Sequence, residues 1–508
     1  IFRSIAEGTE LELEIEIAPK SVLTSFIANM ILARLAFNDV FRMAKEFEAQ
    51  YKSPTKDATA PFETMYATNT NLLDLRLKGL QQFNLPSAMT ELLRSHILKS
   101  SDIDVVRMRP FELATRWNLD RFDTLKTFIS ATKGGILDLH WTVLCPNCRG
   151  ISSDAMTLAE IKSETHCDTC NIHYHADLAS SIEARFTVHP SIRLARHETY
   201  CIGGPANMPQ IVSQLRVQPS QHHSATLELL PGLVRVRSFQ TEGMYPVTVT
   251  EVSNNNHIIA HCSNTKLTLD SHDVKNGKVS FEVHNDTNNE VLIIVERESW
   301  KDNAATAAIV TSMQEFRDLF PSEAVAPGSE LGIASIAVLF TDLRGSTALY
   351  RTIGDTKAFE FVQNHFRFLT ESVSKHHGGI LKTMGDAIMA SFPSGNQALQ
   401  AALEMQTEWK KFCGIYGNYD DIALKIGIHE GSAIAINNKG KLDYFGTTVN
   451  IAGRLQKFSR GGDIIMLESL GDNPEVRTFL SRQHNIETFS AELKGLEQQH
   501  YQLVRITL

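Results

Sequence analysis

The sequence lacks any long uninterrupted apolar run. None of its 508 residues belongs to a stretch near the roughly 20 apolar residues that a helix needs to cross a bilayer. It also lacks a basic excess, since 49 basic residues stand against 58 acidic ones for a net charge of −9. Such a chain has no general attraction for nucleic acid or an anionic membrane surface. No signal-peptide pattern is visible, although the chain starts at Ile1 rather than Met. We therefore expect a cytoplasmic protein with no transmembrane segment and no nucleic-acid partner.

Cysteine is scarce, and its placement argues against a disulfide framework. There are seven cysteines, an odd number, and four of them form two close pairs. The pairs are Cys145-Pro-Asn-Cys148 and Cys167-Asp-Thr-Cys170, with 18 residues between them. Two C-x2-C pairs at this spacing suit one tetrahedral Zn²⁺ in a reducing compartment. The sequence thus predicts a zinc ribbon with one structural zinc closed by four thiolates.

A buried strand followed by a carboxylate opens the C-terminal third of the chain. Residues 336–340 are apolar in succession, which is typical of a strand buried on both faces, and Asp342 follows at its end. A turn and the start of a helical pattern come next, at Gly345, Ser346 and Thr347. Free N–H groups and the helix dipole there favour a phosphate. Asp342 itself is either a hard oxygen ligand for a metal or only a helix cap.

A predicted hairpin supplies a second carboxylate. Residues 379–392 form two apolar strands around a Met-Gly-Asp turn, which places Asp386 at the tip. Carboxylates on neighbouring strand ends can hold two divalent ions about 4 Å apart for phosphoryl chemistry. Further along, Asn450 and Arg454 lie four residues apart and so share one face of a helix. The permanently charged guanidinium of Arg454 suits a phosphate.

The segment from about residue 334 to 508 resembles a class III nucleotidyl cyclase catalytic domain. The matching motifs, in the family's order, are Phe-Thr-Asp342-Leu-Arg-Gly-Ser-Thr, Leu-Lys382-Thr-Met-Gly-Asp386, Asp443-Tyr-Phe-Gly and Val-Asn450-Ile-Ala-Gly-Arg454-Leu. The resemblance covers about a third of the chain. It implies a ferredoxin-like catalytic domain, with helices packed on a mixed sheet.

The resemblance also implies which residues bind metal and which read the base. Asp342, Asp386 and the backbone carbonyl of Leu343 match the ligands of two Mg²⁺ or Mn²⁺ ions. Lys382 and Asp443 match the pair that reads the purine. A lysine can donate to adenine N1 and an aspartate can accept from the adenine amino group, and guanine presents the reverse pattern. The pair therefore favours ATP.

The resemblance also implies a third set of residues, which contact the ribose and the phosphates. Asn450 and Arg454 match the groups that orient the ribose and stabilise charge on the reacting phosphate, and Lys494 matches a terminal-phosphate lysine. In the family, metal ligands come from one protomer and the other residues from its partner. One copy of each set implies a head-to-tail homodimer that converts ATP to 3′,5′-cyclic AMP and pyrophosphate.

The whole chain is predicted to be a multidomain α+β protein. Its opening strand, turn and helix resemble a START-like (Bet v 1-like) domain, or else form an ordinary α+β packing module. The predicted segments are START-like α+β at 1–86, helical (winged-helix-like) at 87–138, zinc ribbon at 139–190, small β-sandwich at 191–300, helical linker at 301–334 and the cyclase domain at 335–508. An unknown ligand or protein partner is expected for the N-terminal segments.

Three other functions stay open. The first is a cyclase for GTP or a pyrimidine nucleotide, and the Lys382–Asp443 pair argues against it. A sensor that acts mainly through its first 330 residues, with cyclase output secondary, is a second function. A nucleic-acid-binding zinc-ribbon protein is a third, and it would need a basic patch where the sequence instead carries Glu160, Glu164 and Asp168.

Overall fold

The structure is a computed structural model, and it describes residues 2–5, 8–11, 45, 67–146, 149–167, 172–195, 210–238, 240, 244–263, 266–297, 303–416, 421–481, 485–495 and 500–508. At the start of the chain, β1 (Phe2–Ile5) and β2 (Gly8–Leu11) form an antiparallel pair. The strand and helix that suggested a START-like domain lie almost wholly outside the described residues. No helix in the described ranges is long and apolar enough to span a membrane.

Helices surround a small antiparallel sheet in the N-terminal module, by which we mean the described residues of 67–195. The helices are α1 (Thr70–Gly79), α2 (Ser87–Lys99), α3 (Pro110–Trp117) and α4 (Arg121–Lys133). The sheet has the order β4-β3-β7, with β3 (Leu137–Leu144), β4 (Ile151–Ala155) and β7 (Ile182–Val188). Asp120 caps α4 by accepting from the N–H groups of Phe122 and Asp123, each at 2.9 Å. Most of the middle of α4 is buried, and four residues of α3 are buried as well. These helices of the predicted winged-helix-like segment therefore pack into a core.

Two sheets sharing one apolar core follow the N-terminal module. One sheet has the order β14-β11-β10-β16-β8 and the other the order β13-β12-β15-β9. Alternating apolar residues on each strand point into the space between them. The strands are β8 (Ile211–Val217), β9 (His222–Leu229), β10 (Gly232–Ser238), β11 (Met244–Thr250), β12 (His257–Cys262), β13 (Leu267–Leu269), β14 (Asp273–Lys275), β15 (Gly277–Asn285) and β16 (Val291–Arg297).

Two short helices join this part of the chain to the C-terminal sheet. We call α5 (Ala307–Ser312) and α6 (Gln314–Leu319) the connector, and Met313 separates them with an extended backbone. The sequence predicted a helical linker here. Both helices are nevertheless packed, since Val310 of α5 and Phe316 of α6 are only 0% and 2% exposed. The connector is therefore part of the folded body.

The C-terminal sheet is mixed and carries the motif residues. Its order is β18-β19-β17-β20-β22-β24-β23, and β21 pairs with the far end of β20. The strands are β17 (Glu330–Arg344), β18 (Gly379–Met384), β19 (Ala387–Phe392), β20 (Ala423–Asn438), β21 (Lys441–Phe445), β22 (Asp463–Leu467), β23 (Ile486–Glu492) and β24 (His500–Thr507). The helices are α7 (Ser346–Ile353), α8 (Asp355–Lys375), α9 (Gly395–Tyr416), α10 (Thr447–Leu455) and α11 (Pro474–Leu480). The predicted helices and strands of this segment are present.

The two faces of this sheet have different coverings. Ala337 and Leu339 of β17 point to a core made with α8 and α9. Ile336 and Val338 point the other way, into a core that also contains Phe128 of α4 and residues of the connector. This second core includes side chains from the N-terminal module and from the C-terminal sheet, so the two are packed as one body.

Candidate active site

Asp342 lies on the long central strand, near the end of its pairing with β20. The strand continues to Arg344 rather than stopping at Asp342 as the sequence suggested. Side chains alternate along a strand, so Asp342 lies on the same face as Ile336 and Val338. Lys425 of β20 is its direct cross-strand neighbour.

A tight turn then reverses the chain into α7. Gly345 has φ +84°, and a Cβ there would approach the carbonyl oxygen of Asp421 to 2.9 Å. A side chain at this position would therefore be strained and would also collide with backbone. Ser346 and Thr347 are the first residues of α7, where predicted phosphate contacts would meet free N–H groups.

The predicted hairpin of β18 and β19 brings the second carboxylate to the first. Met384 pairs with Ala387, which leaves Gly385 and Asp386 as a two-residue turn. The N–H of Ile388 donates to Thr341 Oγ1 at 3.1 Å and fastens β19 beside Asp342. Oδ2 of Asp386 is buried and has no hydrogen-bond partner among the described residues.

Negative charge is concentrated around these two aspartates. Burial raises the pKa of Asp342 above its ordinary value, the charge of Asp386 raises it further, and Lys425 opposes the shift. Burial and the neighbouring Asp386 also raise the pKa of the Tyr350 hydroxyl to about 12. A divalent cation would relieve this repulsion and satisfy the buried oxygen of Asp386. Asp342 and Asp386 therefore fit a hard metal ion.

Two carboxylates alone do not complete a metal site. Within the described ranges, no group of three or more Cys, His, Asp or Glu side chains is arranged to hold a metal. Further oxygen ligands would have to come from backbone, water or a bound phosphate, which is the usual situation for Mg²⁺. We call Asp342, Asp386 and Tyr350 the metal half of the site.

Lys382 and Asp443 meet directly, as the predicted base-reading pair. Lys382 Nζ lies 2.7 Å from Asp443 Oδ2, and Asn438 Nδ2 donates to the same oxygen at 3.1 Å. Burial would raise the pKa of Asp443, but the hydrogen bonds from Lys382 and Asn438 outweigh it and hold the pKa below its ordinary value. Sequence reasoning missed Asn438. The β20–β21 hairpin brings it to Asp443, and its position five residues earlier was the available signal.

Helix α10 carries Asn450 and Arg454 and packs closely against β20, where Gly427 leaves space for it. A Cβ at Gly427 of β20 would approach the backbone nitrogen of Gln456 to 2.3 Å, so the helix rests directly on the strand. Thr448 Oγ1 donates to the carbonyl of Ser432 at 2.6 Å and fixes the start of the helix. Asn450 is exposed and Arg454 is half-buried.

Lys494 lies on the same side as Arg454. A Cβ built on Gly495 would be 3.0 Å from Arg454 Nη2, so the guanidinium sits against the backbone next to Lys494. Lys494 is exposed, whereas its neighbour Leu493 is fully buried and anchors the turn. We call Lys382, Asp443 and Asn438, with Asn450, Arg454 and Lys494, the base and phosphate half.

The two halves are not joined to each other within the chain. No hydrogen bond or ion pair of the described residues connects Asp342 or Asp386 with Lys382, Asp443 or Arg454. By their direct contacts the predicted residues fall into two sets, although the β18–β19 hairpin carries both Lys382 and Asp386.

The predicted cysteine pairs are described only in part. Cys145 follows β3, and its carbonyl accepts from Arg149 N at 2.9 Å, as in a tight turn. Cys167 ends β5 (Glu164–Cys167), which pairs with β6 (Ile172–His175). Cys145 and Cys167 are both buried in one small cluster, so one cysteine of each predicted pair lies there. Cys148 and Cys170 lie outside the described residues.

Comparison with known protein families agrees with this geometry. A family model described as the adenylate and guanylate cyclase catalytic domain matches residues 331–504. Residues 331–504 are therefore a class III nucleotide cyclase catalytic domain. Residues 72–213, which include most of the N-terminal module, match a family of unknown function, DUF5939.

Curated relatives align over the same C-terminal segment. An adenylate cyclase of Anabaena cylindrica is 32% identical over 162 residues, covering 28% of this chain and 32% of that protein. Adenylate cyclase 2 of Rhizobium meliloti (strain 1021) is 28% identical over 134 residues, covering 24% of this chain and 36% of that protein. The aligned part thus spans about a third of each relative.

Solved structures overlap with the catalytic segment as well. The adenylyl cyclase CyaB from P. aeruginosa is 19% identical, with a TM-score of 0.31, over 35% of this chain and 96% of that one. The guanylyl cyclase Cya2 is 18% identical, with a TM-score of 0.30, over 35% of this chain and 92% of that one. At these TM-scores the overlaps add no argument to the family match.

Proposed function

We propose that this protein is an adenylate cyclase that converts ATP to 3′,5′-cyclic AMP and pyrophosphate. The observation that carries the choice of ATP is the Lys382–Asp443 contact of 2.7 Å. The lowered pKa of Asp443 keeps its carboxylate charged and able only to accept. The relatives from Anabaena cylindrica and Rhizobium meliloti, both named adenylate cyclases, support the same choice.

Base recognition follows from the hydrogen-bonding groups of the pair. Lys382 offers N–H donors and Asp443 offers acceptor oxygens, side by side. Adenine presents an acceptor at N1 beside a donor at its amino group, so both contacts form at once. Guanine presents a donor at N1 beside an acceptor at O6, and would leave like groups facing each other. Such mismatched polar contacts are costly in a partly buried site.

The remaining motif residues have roles in the transfer. Asp342 and Asp386 would hold two Mg²⁺ or Mn²⁺ ions, with the carbonyl of Leu343 as a further ligand. Bound ions of this kind lower the pKa of a hydroxyl and neutralise triphosphate charge. In the reaction, the ribose 3′-oxygen loses its proton and bonds to the α-phosphorus, while the bond to the bridging oxygen breaks and pyrophosphate leaves. Asn450 would orient the ribose.

Arg454 and Lys494 supply positive charge to the phosphates. The guanidinium of Arg454 would stabilise charge that develops on the α-phosphate in the transition state. Lys494, on the same side, would bind the terminal phosphate. The N–H groups at Ser346 and Thr347 would add contacts to the phosphates from the metal half.

The active site is proposed to form between two copies of the chain. The metal half and the base and phosphate half make no hydrogen bond or ion pair with each other in the described residues. A second copy placed head-to-tail would bring the metal half of one protomer to the other half of its partner, twice per dimer.

Product analysis tests the proposed function directly. The purified full chain is incubated with ATP, GTP, CTP and UTP, each with Mg²⁺ and with Mn²⁺, and products are identified by mass spectrometry. The expected result is cyclic AMP from ATP. Asp386→Ala should abolish it, whereas Glu360→Ala, which removes an exposed carboxylate on α8, should leave it unchanged.

The other outcomes are equally informative. Cyclisation mainly of GTP, CTP or UTP would keep the reaction and overturn the assignment of Lys382 and Asp443. No cyclic product from any nucleotide would overturn the proposed activity of the full chain.

A structural zinc is a separate part of the proposal. The burial of Cys145 and Cys167 in one cluster supports it, because it places one cysteine of each C-x2-C pair at the same point. Cys148 and Cys170 would complete a tetrahedral site with no open position. Such a site would stabilise the N-terminal module and take no part in the reaction.

A further inference from the structure

The strands that carry the base-reading pair are not neighbours in the sheet. Lys382 is on β18 and Asp443 is on β21, and β19, β17 and β20 stand between them in the strand order. No ladder of backbone hydrogen bonds therefore pairs the two strands directly, and their separation is set through three intervening strands. An element that contacts both strands from outside the sheet would act on this separation directly.

The connector makes the first of these contacts, on the side of Lys382. Backbone N–H of Gln314 donates to the carbonyl of Gly378 at 2.9 Å. The side-chain Oε1 of Gln314 accepts from the N–H of Ile380 at 2.7 Å, two residues before Lys382. Asp318 accepts from the amide nitrogen of Gln314 at 2.8 Å, which turns Oε1 toward the strand.

The same connector contacts both chain neighbours of Asp443. Arg317 Nη1 donates to the carbonyl of Leu442 at 3.3 Å, and its guanidinium lies 5.8 Å from the centre of the Tyr444 ring. The hydroxyl of Thr311 lies 3.0 Å from the Tyr444 hydroxyl. Helix α6 thus bridges the two strands, with Gln314 on one and Arg317 on the other.

The opposite side of the connector is bound to the N-terminal module. Lys126 of α4 lies 3.0 Å from Glu315. The Trp141 ring packs edge-on against Phe316, with centroids 5.9 Å apart, and its Nε1 donates to Glu323 at 2.9 Å. A shift of the N-terminal module would therefore move α6.

A cavity at this junction leaves room for such a movement. It has a volume of about 290 Å³ and is bordered by Gln314, Arg317, Ile380 and Leu442. Beside the cavity, Phe316, Leu442 and Tyr444 share one apolar core, and hydrogen bonds of Gln314 and Arg317 link α6 to β18 and β21. A displacement of α6 would therefore act on both strands.

From these contacts we propose that Gln314 and Arg317 are positioning residues for base recognition, through which the N-terminal module sets nucleotide affinity and base preference. The inference rests on the proposed function, because it takes Lys382 and Asp443 as the base-reading pair. Hydrogen bonds weaken steeply with misalignment, so a change in the separation of the two residues acts on binding of the base. The contacts of Gln314 are at the start of β18, whereas Asp386 follows its other end, so we expect a smaller effect on Asp386.

The test compares connector variants in the full chain. Arg317→Ala and Gln314→Ala are each expected to raise the KM for ATP by about 10-fold, the order of one lost hydrogen bond. The ratio of kcat/KM for ATP over GTP should fall, while kcat changes by less than about 3-fold. Arg317→Lys keeps a donor for the Leu442 carbonyl and should recover part of the loss.

Two further variants separate this role from a purely structural one. Ser322→Ala changes an exposed residue just after the connector and should match the unmodified chain. Lys126→Ala changes only the N-terminal module and should shift KM and base preference in the same direction, by about 2- to 3-fold, as expected for a partly exposed ion pair. Melting temperatures are measured for all variants.

The outcomes distinguish failure of this inference from failure of the proposed function. Dissociation constants for ATP and GTP are measured by calorimetry beside turnover. If kcat falls while KM, both dissociation constants and the base ratio stay unchanged, the positioning role is wrong and the proposed function stands. If the unmodified chain neither binds nor cyclises a nucleotide, the proposed function is overturned, and this inference with it.

Discussion

The metal half and the base and phosphate half differ in how far the protein satisfies its own charges. Asp443 receives hydrogen bonds from Lys382 and Asn438, and its pKa lies below the ordinary value. Asp342 is buried beside a second carboxylate, and its pKa lies above the ordinary value. One aspartate is stabilised as an anion and the other is destabilised.

This difference indicates what each half requires to function. In the base and phosphate half, Lys382, Asn438 and Asp443 are already arranged by hydrogen bonds, which lowers the entropy that these side chains lose when a nucleotide binds. The metal half has excess negative charge and a buried oxygen of Asp386 without a partner among the described residues, so it needs cations. Catalysis would then depend on metals at one half and on preformed geometry at the other.

The largest expected effect on activity comes from two variants, one with a substitution in the metal half and the other with a substitution in the base and phosphate half. Asp342→Ala removes a metal ligand and Arg454→Ala removes charge at the reacting phosphate, so each variant alone should lose about 100-fold or more of its activity. Mixed in equal amounts, they should regain about a quarter of the unmodified activity, because half of the dimers are mixed and each has one intact site.

Activity assays of the mixture, with dimer formation checked by light scattering, measure this. Two copies of the same variant mixed together are the control. A mixture that forms dimers but stays inactive would contradict sites shared between protomers, and would make the two halves parts of one site within a chain.

A smaller effect is expected when the repulsion in the metal half is removed. Asp386→Asn takes away one of two neighbouring charges, so without metal it should raise the free energy of unfolding by on the order of 1 kcal/mol. In the unmodified chain, Mn²⁺ at ten times its dissociation constant should stabilise the fold by about 1.4 kcal/mol. The variant should lose this response.

The stabilisation of the fold by Mn²⁺ should decrease as the pH falls. Asp342 must be deprotonated to bind metal, and its pKa is raised, so the Mn²⁺ effect should decline at a higher pH than for an ordinary aspartate as the pH falls. Thermal melting with and without Mn²⁺ across pH measures it. If Mn²⁺ stabilises the Asp386→Asn variant as much as the unmodified chain, Asp386 is not a ligand of the metal.

The smallest effect on activity is expected from a third cluster, outside the catalytic domain. Cys145 and Cys167 are buried together, and a zinc ion would satisfy their thiolates as cations satisfy the metal half. Metal analysis should find one zinc per chain, lost in Cys145→Ser together with several degrees of melting temperature. Cys262→Ser, at a buried cysteine in the core between the two middle sheets, is the control and should keep the zinc. A zinc-free unmodified chain would refute the zinc ribbon.

Much of the catalytic segment could be predicted from local patterns. The apolar run at 336–340, the Met-Gly-Asp turn and the four-residue spacing of Asn450 and Arg454 each depend on a few consecutive residues. Strands, turns and helix faces follow from such short-range patterns. The helices and strands of this segment are therefore where the sequence indicated.

Long-range contacts were not predictable in the same way. Asn438, Lys425 and Tyr350 have ordinary local contexts, and their relation to the site depends on strand register and on the turn into α7. Residues 301–334, which include the connector, were expected to form a linker, because nothing in this stretch indicates that Ala324 and Val325 would be buried. Its contacts with β18 and β21 join residues more than sixty positions apart.

The sequence by itself determined which chemical groups the catalytic segment carries and at what spacing. The types and spacings of Asp342, Asp386, Lys382, Asp443 and Arg454 are local properties of the chain. Only the tertiary structure decided how these residues are grouped and charged. Burial and the charge of Asp386 raise the pKa of Asp342, whereas hydrogen bonds from Lys382 and Asn438 lower that of Asp443. Both effects depend on which strands pack together. The tertiary structure also decided that the N-terminal module contacts the connector, which in turn contacts β18 and β21.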